Sequence, residues 1–152
     1  MVKVLMVCLG NICRSPLAEG ILKSKVDSKS VYVDSAGTGG WHVGELPDTR
    51  SIEVARLNGL SINDQRCRKF TAQDFEDFDV IYVMDKSNYD DVIALAKTDT
   101  DVSKVRMILN EMAADLNEEV PDPYYGSGNG FQHVYDLLDK ACEQIAKHLS
   151  RE

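Results

Sequence analysis

The chain has 152 residues, 43% of them hydrophobic and 28% charged, so it is long enough to bury a core and is expected to form one domain over residues 1–152. Its formal net charge of −8 argues against a general nucleic-acid binder, which needs a basic face, and against an anionic membrane surface as partner. Its four cysteines form no Cys-x-x-Cys pair and show no ligand spacing with the three histidines, which argues against a zinc site and a disulfide framework.

Short apolar runs alternate with helical patterns along the chain. In chain order, the patterns predict a strand over residues 2–7, a helix from Pro16, a strand over 31–34, a glycine-rich loop over 35–47 and a helix over 49–58. The patterns then predict a short helix start at Thr71, a strand over 80–84 and helical spacing over 89–96. They end with a strand over 105–109, a loop over 117–130 and a final helix over 131–149. Ser15 and Asp48 are suited to cap the helices that begin next to them.

This alternation predicts an α/β fold. Four strands separated by helical segments imply three layers, in which a four-stranded parallel sheet of the flavodoxin-like or Rossmann-like kind carries helices on both faces. Ligands of such sheets bind beyond the carboxyl ends of the strands, where the strand order reverses. Cys8 comes directly after the first predicted strand, so we expect it at this edge of the sheet.

The apolar run that begins at Met1 does not have the pattern of a targeting signal. It is short and has no small-residue cleavage site, so no signal peptide is predicted, and no segment approaches the length of a transmembrane helix. We therefore expect a cytoplasmic protein with reduced thiols.

The segment from Cys8 to Ser15 (CLGNICRS) carries the main chemical signal. The thiolate is the nucleophilic form of cysteine, and a helix N-terminus beside a cation such as Arg14 favours that form. The loop amides can turn inward as an anion nest, and the Arg14 fork can grip two phosphoryl oxygens. Gly10 permits a tight backbone, and Asn11 tolerates a left-handed conformation. The Ser15 hydroxyl can donate a hydrogen bond to the sulfur, so the segment is suited to attack a phosphate with sulfur.

Cys-x5-Arg on its own also arises by chance. The alternative interpretation is a buried cysteine at a strand end and a solvated arginine. The strand before the segment, the glycine inside it and the Ser-Pro helix start after it favour the phosphate site. A nucleotide-binding loop fits poorly, because the chain contains no Gly-x4-Gly-Lys.

A phosphate ester also needs a general acid for its leaving oxygen. Asp122 is the first candidate, because it lies between two prolines and before two tyrosines in a loop long enough to cover a site. An ordinary Asp-Pro turn explains the same residues equally well. Asp85, which follows the third predicted strand, is a rival acid, although helix capping accounts for it too.

The chain resembles the low-molecular-weight protein tyrosine phosphatases nearly end to end. The resemblance is carried by VCLGNICRSPL at residues 7–17, VDSAGT at 33–38, residues 71–84 in outline, MDKSN at 84–88 and DPYYG at 122–126. The first and last of these segments together are highly specific for the family. The resemblance implies the phosphotyrosine phosphatase I type of fold and hydrolysis of phosphotyrosine and small aryl phosphates, without a cofactor or a metal.

The resemblance also implies a role for each site residue. Cys8 would be the nucleophile, Arg14 the transition-state clamp and Asp122 the general acid. The phosphate-binding loop would consist of Leu9, Gly10, Asn11, Ile12, Cys13 and Ser15, with Ser35 supporting it. Trp41, Tyr124 and Tyr125 would form the cleft for the phosphotyrosine ring. Gln65 stands where the family often has a histidine that supports the asparagine network, and glutamine can also donate and accept hydrogen bonds.

Other functions stay open beside this one. A thiol-dependent arsenate reductase of the same fold needs relay cysteines after the third strand, and residues 83–95 contain none. A non-catalytic phosphate-binding signalling module would leave the reactive cysteine idle. For a phosphatase, we expect a phosphotyrosine protein as substrate, with a tyrosine kinase as one candidate, and a monomer or weak dimer. A reversible disulfide between Cys13 and Cys8 is a further hypothesis, against the alternative of a small buried thiol.

Overall fold

The chain folds around a parallel sheet in a computed structural model that describes residues 1–113, 116–125 and 129–150. The strands are β1 (Val2–Cys8), β2 (Val31–Gly37), β3 (Val80–Val83) and β4 (Val105–Met107). The helices are α1 (Arg14–Lys25), α2 (Thr49–Leu57), α3 (Asp74–Asp77), α4 (Lys86–Ile93), α5 (Asp99–Ser103) and α6 (Asn129–Ser150), with 3₁₀ turns at Ile108–Glu111 and Pro123–Tyr125.

The strand order places the end of β1 where a ligand would bind. The order is β2–β1–β3–β4 and every pair is parallel, which confirms the predicted four-stranded parallel sheet. From β1 the chain crosses to β2 on one side and later returns to β3 on the other side. The strand order therefore reverses at β1, and a crevice forms at the carboxyl end of that strand.

Both faces of the sheet are covered, as predicted. Side chains of a strand alternate between its faces, and β1 supplies both cores in this way. Val4 and Met6 belong to the core that contains the buried residues of α1 and α6. Leu5 and Val7 belong to the opposite core, with Phe75 of α3. The sheet is thus the middle layer of three.

Several elements differ from their predicted limits. β2 continues to Gly37, because residues 35–37 pair with the last three residues of β1. β4 stops at Met107, where the chain enters a 3₁₀ turn. Helix α5 was not predicted, although Thr98 caps it by accepting a hydrogen bond from the Asp101 N–H at 3.1 Å. No helix in the described part of the chain is long and apolar enough to cross a bilayer.

The helix predictions are confirmed for α2 and α6. Asp48 caps α2, since its carboxylate accepts a hydrogen bond from the Arg50 N–H at 2.8 Å. The apolar stripe of α6 is buried, and Cys142 lies in it as a core residue with no exposed surface. Burial raises the pKa of the Cys142 thiol, so this sulfur stays protonated.

Candidate active site

Residues 8–15, here called the phosphate loop, run from the last residue of β1 to the first turn of α1. The loop lies against the end of β2, and the Gly39 N–H donates to the Leu9 carbonyl at 2.8 Å. A Cβ atom at Gly37 would lie 2.8 Å from the Leu9 oxygen and 2.9 Å from the Asn11 nitrogen. Such contacts are too close for any side chain, so the loop requires glycine at the end of β2.

The sulfur of Cys8 lies at the N-terminus of α1. Its Sγ is 3.0 Å from the Ser15 Oγ, and the Ser15 N–H points at it from 3.5 Å. Ser15 was predicted to cap α1, and this prediction is wrong because the helix begins at Arg14, with Cys13 at the capping position. The Ser15 hydroxyl instead forms hydrogen bonds with the Cys8 sulfur and with Asn11, so it does not cap the helix.

Asn11 holds the loop in shape, in the left-handed conformation that its sequence position suggests, with φ at 57°. Its Nδ2 donates to the hydroxyls of Ser15 and Ser35, both at 2.9 Å. Its Oδ1 accepts from the Arg68 N–H at 3.0 Å. Every polar atom of the Asn11 side chain is therefore bonded, and the strained backbone is fixed from two directions.

The network continues to Glu19, a residue that the sequence interpretation missed. The Ser35 hydroxyl donates to the Glu19 carboxylate at 2.7 Å, and Lys23 pairs with the same carboxylate. Burial raises the pKa of Glu19, and the hydrogen bonds from Lys23 and Ser35 oppose this shift. Glu19 stands between apolar residues on the buried face of α1. A charged residue in that position is the signal that could have revealed it.

Arg14 is buried and held at three points. Its Nη1 donates to the Asp85 carboxylate at 2.6 Å and to the Val120 carbonyl at 2.9 Å. Its Nη2 is 3.7 Å from the Asp122 carboxylate. Although burial opposes its charge, the interactions with Cys8 and Asp85 raise the pKa of Arg14 above the ordinary guanidinium value. The guanidinium is therefore a fixed positive charge beside the sulfur.

The two candidate acids, Asp85 and Asp122, differ in their hydrogen-bond partners. Asp85 caps α4 by accepting from the Asn88 N–H at 2.8 Å, while its other oxygen holds Arg14. Asp122 accepts from the Tyr124 N–H at 3.0 Å with Oδ1. Its Oδ2 lies 3.7 Å from Nη2 of Arg14, and the Asp122 side chain is 29% exposed. Asp122 is thus the more accessible carboxylate.

Asp122, but not Asp85, lines a cleft of about 240 Å³. Its lining includes Cys8, Arg14, Trp41, His42, Asp122 and Tyr124. Trp41 is 71% exposed at the rim, which agrees with its predicted place on the glycine-rich loop. The side chain of Tyr125, also predicted to form the cleft, lies outside the described residues. Leu9 and Ile12 add apolar surface to the same cleft.

Gln65 does not join the Asn11 network. Its Nε2 donates to the Pro16 carbonyl at 3.0 Å, and its Oε1 has no hydrogen-bond partner among the described residues. Gln65 therefore contacts the first turn of α1 rather than the asparagine. The supporting contact from this region comes from Arg68 instead.

Cys13 within the phosphate loop and Cys67 beside it are both free and buried. Burial and the nearby Asp48 raise the pKa of Cys13, so this thiol stays protonated. Cys67, which received no role from the sequence, donates its S–H to the Asn11 carbonyl at 2.8 Å. Burial raises the pKa of Cys67 to about 11, which keeps it a hydrogen-bond donor at neutral pH. Cys67 therefore contacts the one left-handed residue of the phosphate loop.

Replacing Cys67 tests whether this contact shapes the loop. Cys67→Ala is expected to lower kcat/KM for an aryl phosphate about fivefold, as for a lost hydrogen bond of about 1 kcal/mol. Inhibition by inorganic phosphate should weaken by the same factor. Cys67→Ser keeps a donor and should stay within about twofold of wild type. Unchanged kinetics in Cys67→Ala would show that the thiol does not hold the loop.

A sulfur, a clamped guanidinium and an accessible carboxylate meet here at the switch point of a parallel sheet. The fold and the site define a phosphatase of the cysteine-dependent class. Within residues 1–113, 116–125 and 129–150, no group of three or more His, Cys, Asp or Glu side chains is arranged to hold a metal ion.

Comparison with known proteins identifies the family. The chain belongs to the low molecular weight phosphotyrosine protein phosphatases, whose family model matches residues 3–152. YfkJ of Bacillus subtilis, a low molecular weight protein-tyrosine-phosphatase, is 38% identical, and the match covers 100% of this chain and 98% of that protein. The crystal structure of a protein tyrosine phosphatase from Entamoeba histolytica has a TM-score of 0.92 and 35% identity, over 99% of this chain and 98% of the other.

Some of the similar structures are not of tyrosine phosphatases. A Drosophila arginine phosphatase is 37% identical, with a TM-score of 0.88 over 97% of both chains. The proteins that resemble this chain therefore include both tyrosine and arginine phosphatases.

Proposed function

We propose that this protein hydrolyses phosphotyrosine in proteins, and small aryl phosphates, through a phosphocysteine intermediate. The observation that carries the proposal is that Cys8, Arg14 and Asp122 line one cleft, with the sulfur at the N-terminus of α1. Helix N-terminal amides and a guanidinium stabilise an anion, and both lie where the phosphate would meet the sulfur.

In the first step, the Cys8 thiolate attacks phosphorus and forms the S–P bond. The P–O bond to the tyrosyl oxygen breaks, and that oxygen takes its proton from Asp122. Arg14 and the loop amides stabilise the charge on the three equatorial oxygens. Because Asp85 and the Val120 carbonyl hold one guanidinium nitrogen, the orientation of Arg14 is set before the substrate arrives.

In the second step, water attacks phosphorus and gives its proton to Asp122. The P–S bond breaks, and the sulfur leaves as a thiolate with inorganic phosphate as the other product. The Ser15 hydroxyl accepts a hydrogen bond from Asn11, so its own proton is directed to the sulfur 3.0 Å away. That hydrogen bond stabilises the leaving thiolate.

The cleft walls favour a phenyl ring over a guanidine. An aromatic ring packs on apolar and aromatic surface, which Leu9, Ile12 and Trp41 provide. A phosphorylated guanidine presents several N–H donors that need acceptors. The wall formed by these three side chains offers none, and the acceptor in the cleft is the Asp122 carboxylate, which already accepts the Tyr124 N–H. The same walls provide nothing that would hold the short side chain of phosphoserine.

A comparison of phosphopeptides tests this substrate class. With the same flanking sequence, we expect kcat/KM for phosphotyrosine to exceed that for phosphoserine by at least about a hundredfold, and that for phosphoarginine by at least about tenfold. Phosphate release measured for wild type and Cys8→Ser provides the control. A preference for phosphoarginine would instead place the chain beside the arginine phosphatases.

The remaining expectations are proposals of the same kind. A phosphoprotein is the partner that the family implies, and a tyrosine kinase is one such protein. The four free cysteines agree with a cytoplasmic enzyme whose thiols stay reduced. Thioredoxin oxidation that depends on arsenate would favour the reductase alternative, and failure to hydrolyse any aryl phosphate would favour a phosphate-binding module.

A further inference from the structure

Arg50 of α2 is fixed to Asp48, the residue that caps α2 and contacts the phosphate loop. Its Nε and Nη2 each lie 3.0 Å from a different oxygen of the Asp48 carboxylate, which is a two-point pair. The Asp48 N–H in turn donates to the Ile12 carbonyl at 2.8 Å. Arg50 is therefore connected, through one residue, to the backbone of the phosphate loop.

The third nitrogen and the flat face of Arg50 contact the opposite wall of the cleft. Its Nη1 donates to the Tyr124 carbonyl at 3.4 Å. Its guanidinium carbon is 5.3 Å from the centre of the Tyr124 ring and 4.7 Å from that of Phe131. Cation–π contacts of this length are attractive, and Phe131 lies in the first turn of α6.

The Asp122 carboxylate depends on the position of Tyr124. Oδ1 of Asp122 accepts the Tyr124 N–H at 3.0 Å, so a shift of the Tyr124 backbone moves the carboxylate with it. The phosphate loop and Asp122 come from parts of the chain that are more than 100 residues apart. Arg50 connects the two, through Asp48 on the side of the phosphate loop and through Tyr124 on the side of Asp122.

We infer that Arg50 is a positioning residue for the general acid, which ties Tyr124 and hence Asp122 to the phosphate loop. The inference rests on the proposed role of Asp122. Arg50 does not touch the sulfur or the phosphate site, and its side chain is 44% exposed, so its loss should leave the fold intact. Lysine cannot replace it, because an ammonium group lacks the planar fork that pairs and stacks at once.

The test is the dependence of kcat/KM on the leaving group. This ratio reports the steps up to transfer of the phosphoryl group to sulfur, and protonation matters more as the leaving oxygen becomes more basic. Arg50→Ala is expected to lower kcat/KM for phenyl phosphate about tenfold and that for p-nitrophenyl phosphate less than about twofold. Inhibition by inorganic phosphate should not change, since the phosphate loop keeps its own contacts. Arg50→Lys should behave like Arg50→Ala.

Arg56→Ala is the matched control. Arg56 lies on the same helix and makes a similar two-point pair, with Glu53 at 2.9 and 2.5 Å, on an exposed surface. We expect wild-type values for all three measurements in this variant. Equal effects in Arg50→Ala and Arg56→Ala would mean that only the stability of α2 is involved, and would overturn the inference.

Two further outcomes separate this inference from the proposed function. If Asp122→Asn changes the leaving-group dependence and Arg50→Ala does not, Arg50 has no positioning role while Asp122 remains the acid. If Asp122→Asn leaves the leaving-group dependence unchanged, Asp122 is not the general acid and Arg50 is not its positioning residue. A weaker inhibition by phosphate in Arg50→Ala would place its effect on the phosphate loop, which also contradicts the inference.

Discussion

Replacing Cys8 with serine is expected to lower kcat/KM for an aryl phosphate by about 10⁴ or more, which is at least about 5.5 kcal/mol of transition-state stabilisation. A serine hydroxyl at this position keeps its proton at neutral pH, and its oxygen is a poor leaving group from phosphorus. The S–P bond of the intermediate cannot form at all. Steady-state kinetics of the two proteins gives the ratio, and rapid quenching of the wild type should trap a phosphorylated Cys8.

Two controls make the Cys8 result specific. Arg14 and the amides of the phosphate loop remain in Cys8→Ser, so inorganic phosphate should still bind within about tenfold of wild type. A chelator should leave the wild-type rate unchanged, because the amide nest and Arg14 supply the positive field. Substantial hydrolysis by Cys8→Ser, or loss of wild-type activity on chelation, would refute the phosphocysteine mechanism.

Replacing Asp122 with asparagine is expected to lower kcat/KM for phenyl phosphate by about 10² to 10³, the range for a lost general acid. Asparagine keeps the shape and can still accept the Tyr124 N–H, so the loss reports the missing proton. The basic limb of the pH–rate profile should flatten, because that limb reports deprotonation of the acid. The effect should be larger for phenyl than for p-nitrophenyl phosphate.

Asp85→Asn is the companion variant for this second prediction. Asp85 holds Arg14 at 2.6 Å and caps α4, so its loss should loosen the guanidinium rather than remove a proton. We expect weaker inhibition by inorganic phosphate, with the basic limb of the pH profile preserved. If Asp85→Asn flattens that limb and Asp122→Asn does not, the two carboxylates have exchanged roles.

The sequence predicted the parts of the site that are close together in the chain. Cys8, Arg14 and Ser15 fall within one loop, whose spacing and flanking strand are visible without a structure. Asp122 was predicted as a candidate acid from the prolines and tyrosines around it, and the family resemblance then implied the same role. Periodicity also predicted the sheet, because buried strands and amphipathic helices leave distinct patterns.

The supporting residues could not be found in this way. Cys67 contacts Asn11 and Arg50 contacts Tyr124, and both partners are far away in the sequence. The residues around Cys67 and Arg50 carry no local pattern that indicates these contacts. Ser15 was misplaced because its capping tendency competes with a sulfur that only the folded loop brings near. Gln65 faces the Pro16 carbonyl because the segment around it is placed by tertiary contacts.

The partners of Arg14 have a consequence for folding. Asp85 and the Val120 carbonyl lie 71 and 106 residues further along the chain, so the guanidinium is clamped only after most of the polypeptide has come together. Such distant contacts form late, since loop closure must precede them. On the ribosome, the nucleophile would emerge well before the residues that orient its arginine. Phosphatase activity of a refolding sample should therefore recover after the secondary structure does, and it would report completion of the native fold.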